Sequence, residues 1–156
     1  MTHFTGAHVG KLDIKGRIIV PKPFRDTLNR LAAVPGAPLM KLLPSQKGDF
    51  IEAWPIPVYE AYSAKRLAEL EADPEAIDDF KVNFHWPAQD LDPDVDGRLK
   101  LPTKLAAHAK LVDEMLFVGD GDKFLLMTRE TAMARLQEAA QRRNSKPLPL
   151  VAVGDA

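Results

Sequence analysis

Two stretches of the chain, Asp13-Ile14-Lys15-Gly16-Arg17-Ile18-Ile19-Val20-Pro21 and Asp94-Val95-Asp96-Gly97-Arg98-Leu99-Lys100-Leu101-Pro102, repeat one pattern at an offset of 81 residues. Asp, Gly, Arg and Pro coincide, and aliphatic residues dominate after each Arg. Leu12 and Pro93 match poorly, so the repeat is sharpest over a turn and the strand behind it. Self-similarity at a fixed offset is the mark of a duplicated structural unit. Each copy reads as a short strand, a tight turn around Lys15-Gly16 or Asp96-Gly97, and a second strand, Arg17 to Val20 or Arg98 to Leu101. Glycine supplies the positive φ that such a turn demands. Proline then closes the strand and can open a helix, where its missing N–H costs nothing.

Outward from the turns the two copies stay parallel. A helix is predicted from Pro21 to Leu31 with Phe24, Leu28 and Leu31 on one face, and another from Pro102 with Leu105, Ala109 and Val112 on one face. Hairpins follow, Leu39–Leu43 with Phe50–Trp54 and Met115–Val118 with Phe124–Met127, the latter turning at Gly119-Asp120-Gly121-Asp122. Tyr59 to Glu71 reads as a helix with Ala61, Ala64 and Ala68 at helical spacing. Thr128 is a cap for a last helix, with Glu130 in its first turn and Ala132, Leu136 and Ala139 on one face. The result is an α+β chain. Its expected divisions are a first repeat over 5–60, a helix and connector over 61–88 with a short segment near Phe80 to Trp86, a second repeat over 89–138 and a flexible tail over 139–156, loose from Arg142. Neither half has enough strands to hide its own apolar face, so the halves are expected to pair.

Composition narrows the function. Apolar residues make up 46% of the chain, enough for a real core. There is no cysteine, which excludes disulfides, thiolate metal sites and cysteine nucleophiles and suits a reducing compartment. No signal peptide or spanning helix is legible, so the chain reads as soluble and cytoplasmic. A net charge of −1 excludes a general polycation, yet residues 11–30 carry a local balance of +4 and residues 69–96 one of −9. At the turn tips Lys11, Lys15 and Arg17 can meet phosphates or guanine edges. The plainer reading is an Asp13–Arg17 salt bridge with Lys15 simply solvated.

The turn residues resemble the MraZ family of AbrB-like regulators. Asp13, Lys15, Gly16, Arg17, Pro21 and Arg25 match its first repeat. Asp94, Gly97, Arg98 and Pro102 match its looser second repeat, with Phe117-Val118-Gly119 ahead of Asp122-Lys123-Phe124. The resemblance covers roughly residues 1 to 140. It implies two tandem AbrB-like swapped-hairpin half-barrel repeats forming one pseudo-symmetric β-barrel unit. It also implies sequence-specific binding to short repeated sites on double-stranded DNA upstream of the division and cell-wall gene cluster, usually as a repressor, by a nucleoid-associated homo-oligomeric ring. Lys11, Lys15, Gly16, Arg17, Gly97 and Arg98 are the expected DNA-binding residues, with Asp13 and Asp94 ordering the turns. Asp96 departs from the pattern, standing where the first turn has Lys15, and an acidic tip disfavours phosphate. The competing expectation is an antitoxin-like AbrB scaffold that binds proteins and not DNA.

Other constellations carry less. Asp92, Asp94, Asp96 and Gly97 imitate the start of a calcium loop, but Thr103 stands where a bidentate Glu belongs, and Pro93 and Pro102 interrupt it. His3, His8, His85 and His108 lack zinc spacing. No Lys-Ser or Lys-Thr completes a phosphate loop at Gly119–Asp122, and no serine has a base in a recognisable motif. No enzyme, cofactor, metal or small-molecule substrate is therefore expected. Trp54, Trp86, Tyr59, Tyr62 and Phe84 have no adjacent Lys or Arg and read as core or subunit interface, not as base-stacking platforms.

Overall fold

A computed structural model describes residues 3–36 and 38–145. The strands are β1 (Ala7–Lys11), β2 (Arg17–Ile19), β3 (Met40–Pro44), β4 (Ile51–Pro55), β5 (Gln89–Leu91), β6 (Arg98–Lys100), β7 (Glu114–Gly119) and β8 (Phe124–Met127). The helices are α1 (Lys22–Leu31), α2 (Ile56–Glu69), α3 (Pro74–Phe80), α4 (Thr103–His108) and α5 (Arg129–Ser145), and α3 runs on into a π-helical turn, Lys81–His85. Six strands form an antiparallel sheet in the order β1-β7-β8-β4-β3-β5; β2 and β6 form a separate two-stranded ribbon.

The duplication is reciprocal. β1 of the first repeat pairs with β7 of the second, and β5 of the second pairs with β3 of the first. β2 pairs with β6 and β4 with β8, so only β3–β4 and β7–β8 are pairings within one repeat. The strands flanking each glycine turn therefore do not close a hairpin on themselves; each exchanges its partner with the other repeat. This is the mixed α+β, two-repeat, swapped architecture expected above.

Strand alternation decides which side each residue serves. Ile51 and Ala53 of β4, and Phe124 and Leu126 of β8, enter the main core with Met40, Leu42, Met115 and Phe117. Ile18, Val20, Leu99 and Leu101 from the ribbon region, Phe24 and Leu28 from α1, and Leu105 from α4 complete it. Phe24 sits edge-on to Phe4 at 5.4 Å and tilted against Phe124 at 4.9 Å. The opposite face of the sheet is also covered, which is why all five residues of β4 are buried. There Leu43, Trp54, Tyr59 and Phe84 form a second cluster, with Tyr59 stacked on Phe84 at 4.5 Å. The Tyr59 hydroxyl donates to the Phe84 carbonyl at 2.8 Å, and its burial raises its pKa to about 12. Buried Glu52 accepts from Ser45 Oγ at 2.8 Å and Trp54 Nε1 at 2.9 Å, so its carboxylate is satisfied.

Several expectations are corrected. Pro21 and Pro102 are N-cap residues, one position before their helices. Val112 does not share a face with Leu105 and Ala109: α4 stops at His108, Lys110 turns the chain with φ 58°, and Val112 is exposed. The alanines of α2 face solvent, while Tyr59 and Ser63 are its buried residues, Ser63 against His85 of the π-helical turn. Thr128 caps α5 through Thr131 N–H at 3.0 Å, as expected, and Ala132, Leu136 and Ala139 do share a face, along which Leu136 and Ala139 are exposed. Arg142 to Ser145, expected to be loose, are the end of α5; the rest of that expectation, residues 146–156, lies outside the described residues. Of the two places expected for Trp86, core or subunit interface, its 75% exposure removes the core.

Candidate nucleic-acid interface

Each turn is built around one aspartate. Gly16 N–H donates to Asp13 O at 3.0 Å, and Asp13 N–H donates to Arg17 O at 2.9 Å. Asp13 Oδ1 accepts from the N–H groups of Lys15 at 2.9 Å and Arg17 at 2.8 Å, and Oδ2 accepts from Arg17 Nε at 3.0 Å. The second turn reproduces this set: Asp94 Oδ1 accepts from Asp96 and Arg98 N–H, both at 2.9 Å, and Oδ2 from Arg98 Nε at 3.1 Å. A carboxylate that collects two backbone donors and one guanidinium donor favours its charged form. Asp13 and Asp94 are accordingly held below the usual carboxylate range, the backbone N–H of Arg17 or Arg98 being the largest cause. Gly16 and Gly97 take φ of +79° and +85°, the left-handed region that a side chain disfavours.

The two turns are then tied to each other. Leu101 N–H donates to Gly16 O and Val20 N–H donates to Gly97 O, each at 2.8 Å. The ribbon register sets Arg17 opposite Lys100, Ile18 opposite Leu99 and Ile19 opposite Arg98. Ile18 and Leu99 point into the core, so Arg17, Ile19, Arg98 and Lys100 point out together. The Arg17 and Arg98 side chains are 43% and 52% exposed. Asp13 engages Arg17 through Nε, an arrangement in which the Nη groups can offer paired donors to a phosphate or a guanine edge.

The expected site residues are not all equivalent in place. Lys15 is exposed at the first turn, and Asp96 occupies its position in the second. Asp96 Oδ2 also draws Arg98 Nη2 to 3.4 Å, so two carboxylates compete for Arg98 where one holds Arg17. Lys11 ends β1 opposite Glu114 and belongs to the large sheet, not the ribbon. Asp92, the first residue of the calcium-like sequence, accepts Leu39 N–H, so it and Asp94 serve backbone donors in different elements. Among the described residues no three His, Asp or Glu side chains gather as a metal site.

Two residues were missed from the sequence. Lys100 completes the outward row, and strand alternation from Arg98 was the available signal. Arg25 braces the second turn from the first repeat: its Nε donates to Val20 O at 3.0 Å and its Nη1 to Val95 O at 3.4 Å. Its guanidinium lies on Gly97, where an added Cβ would stand 2.6 Å from Nε. Ile14 and Val95 occupy matching places at the two tips, both almost fully exposed.

The fold and this surface define a class: a duplicated, strand-exchanging α+β protein that displays a pair of aspartate-ordered arginine turns on one ribbon. Comparison with known proteins takes this further. The family described as "MraZ protein, putative antitoxin-like" matches residues 3–81 and 84–147. The transcriptional regulator MraZ of Gluconobacter oxydans is 37% identical over 142 residues, covering 91% of this chain and 85% of the relative. That of Gluconacetobacter diazotrophicus is 37% identical over 154 residues, covering 99% and 95%. That of Acidithiobacillus ferrooxidans is 37% identical over 123 residues, covering 78% and 80%. The chain belongs to the MraZ family.

Proposed function

We propose that this chain is a transcriptional regulator that binds double-stranded DNA through the β2–β6 ribbon, without bond chemistry or a cofactor. The observation that carries the reading is the outward row of Arg17, Lys100 and Arg98, with Lys15 at the adjacent tip. A two-stranded ribbon fits the major groove, where arginine reads guanine and lysine neutralises phosphate. Arg17 contributes most, since Asp96 weakens the second turn. One chain offers few phosphate contacts, and a homo-oligomeric ring repeats the ribbon along short repeated sites, gaining affinity through effective concentration. In this reading the protein works on the nucleoid in the cytoplasm and represses the division and cell-wall gene cluster by excluding polymerase. Lys11, Gly16 and Gly97 act by flanking or shaping the turns.

Titration of duplex DNA binding against salt tests the proposal. Affinity is expected to fall steeply with salt. Arg17→Ala is expected to weaken binding by about 1–3 kcal/mol and relax base preference, whereas Lys100→Ala weakens all sequences alike and reduces the salt slope by about 1. Absence of binding at low salt refutes the reading and favours a protein-binding scaffold, for which the neutralised Arg98 turn is the supporting observation.

A further inference from the structure

Among the described residues the two most exposed large apolar side chains are Ile14, at 102%, and Val95, at 93%. A single exposed aliphatic residue is ordinary, but these two stand at equivalent places of the repeat, one at each turn tip. The fold gives no reason for them. Each is the second residue of an Asp-x-x-Gly turn, closed by Gly16 N–H on Asp13 O at 3.0 Å or Gly97 N–H on Asp94 O at 2.9 Å, a position that accepts most residue types. Neither side chain enters a core cluster. Both are β-branched and stiff at χ1, and both lie inside the hydrogen bonds by which Asp13 or Asp94 holds its arginine. Each turn therefore presents a preordered aliphatic tip beside a clamped guanidinium. The tips stand at opposite ends of the ribbon, because Gly16 O accepts from Leu101 N–H and Gly97 O from Val20 N–H. From Gly16 to Val20 an extended chain advances about 14 Å, roughly four base-pair steps of a duplex.

We propose that Ile14 and Val95 are specificity residues, each seated against the 5-methyl group of a thymine in the major groove, on either side of the bases met by the arginines. This rests on the reading of the ribbon as a duplex-binding surface. Phosphates and guanine edges call for hydrogen bonds, which an aliphatic tip cannot make; the thymine methyl is the apolar group that the major groove displays. The assignment also gives the second turn a task. Asp96 draws on Arg98 and weakens its use for an anion, but a methyl contact at Val95 needs no charge. Ile19, 59% exposed in the outward row, is the competing source of such a contact.

A duplex selected by the full-length protein from a random pool is copied with dTTP or with dUTP, so that the two products differ only in the 5-methyl groups. The unmodified protein is expected to bind the thymine duplex at least about fourfold tighter, the equivalent of about 0.8 kcal/mol for one buried methyl, with the same salt slope on both. Ile14→Ser combined with Val95→Ser is expected to bring the ratio to about one while keeping the affinity for the uracil duplex. Both positions are exposed and outside the core, so the variant folds, as circular dichroism verifies. A ratio near one in the unmodified protein overturns the proposal. So does a ratio that survives the double variant, and its loss in Ile19→Ser then assigns the contact to Ile19. An equal loss of both duplexes with a changed particle size in sedimentation overturns it in favour of contacts between copies. Failure of the unmodified protein to bind either duplex is a different result: it removes the ribbon reading itself and this proposal with it.

Discussion

Gly16 and Gly97 share a backbone conformation but not a neighbourhood, and alanine at each separates the two costs. At Gly16 the nearest atom to an added Cβ is Leu101 O at 3.8 Å, an ordinary contact. Gly16→Ala therefore incurs the left-handed strain alone, a loss of about 1–2 kcal/mol in stability. At Gly97 the same strain applies, and the Cβ meets Arg25 Nε, Cδ and Cζ at 2.6, 2.8 and 2.9 Å. Arg25 can swing away only by giving up its bonds to Val20 O and Val95 O. A charged hydrogen bond contributes about 1.5–3 kcal/mol, and water replaces part of it at this half-exposed site, so about 1.5 kcal/mol is added. Urea unfolding, with the m-value checked for constancy, is expected to show Gly97→Ala costing about 1.5 kcal/mol more than Gly16→Ala. In an Arg25→Ala background the excess disappears, leaving a coupling energy of similar size. Equal losses at the two glycines, or an excess that persists without Arg25, refute the bracing role of Arg25.

Asp96→Lys restores the charge found in the first turn and frees Arg98 Nη2; duplex affinity at low salt should rise and the salt slope steepen by about 1 in a fluorescence anisotropy titration, and an unchanged slope counts against ribbon contact. Because the Asp13 and Asp94 pKa values are depressed on folding, the stability they supply is present above the unfolded value and is lost only as pH falls through the lower folded one. NMR titration of the two carboxyl carbons should therefore give midpoints below 3.8, the unperturbed value, and midpoints at or above it contradict the turn geometry. Phe24→Ala removes the ring packed between Phe4 and Phe124. It should cost about 3–5 kcal/mol and lower Tm by about 6–20 °C in calorimetry. A loss under 1 kcal/mol would displace Phe24 from the centre of the core.

The turns were legible because their chemistry is local: Asp, Gly and Arg at fixed spacing determine the hydrogen bonds whatever surrounds them. The hairpins β3–β4 and β7–β8 were legible for the same reason, each lying within one step of the expected residues. Partner exchange was not readable from strand pattern, since β1 shows the same alternation against β7 as it would against β2; it entered only through the family resemblance. Helix faces misled where small residues set the period. Alanine spacing in α2 marks helix propensity, whereas burial follows Tyr59, whose ring must reach Phe84. Val112 was placed on a continuing helix because a left-handed lysine at 110 leaves no glycine to announce it. Lys100 escaped notice because the motif drew attention to Arg98, while its outward direction depends on register with Arg17. Arg25 matched a family position, but its action on Gly97 crosses between repeats and has no local signature.

The exchange of strands between repeats also governs how the chain is made. Ala7 finds Val118, and Arg17 finds Lys100, only after most of the polypeptide has been synthesised. The first half emerges from the ribosome with unpaired edges and waits for the second, a high-contact-order route that is slow and open to misassociation. Two chains released together can satisfy the same pairings crosswise, with each first half closing on its neighbour's second half. Sizing of the refolded product across a range of protein concentrations is expected to show the crosswise-closed dimer growing with concentration.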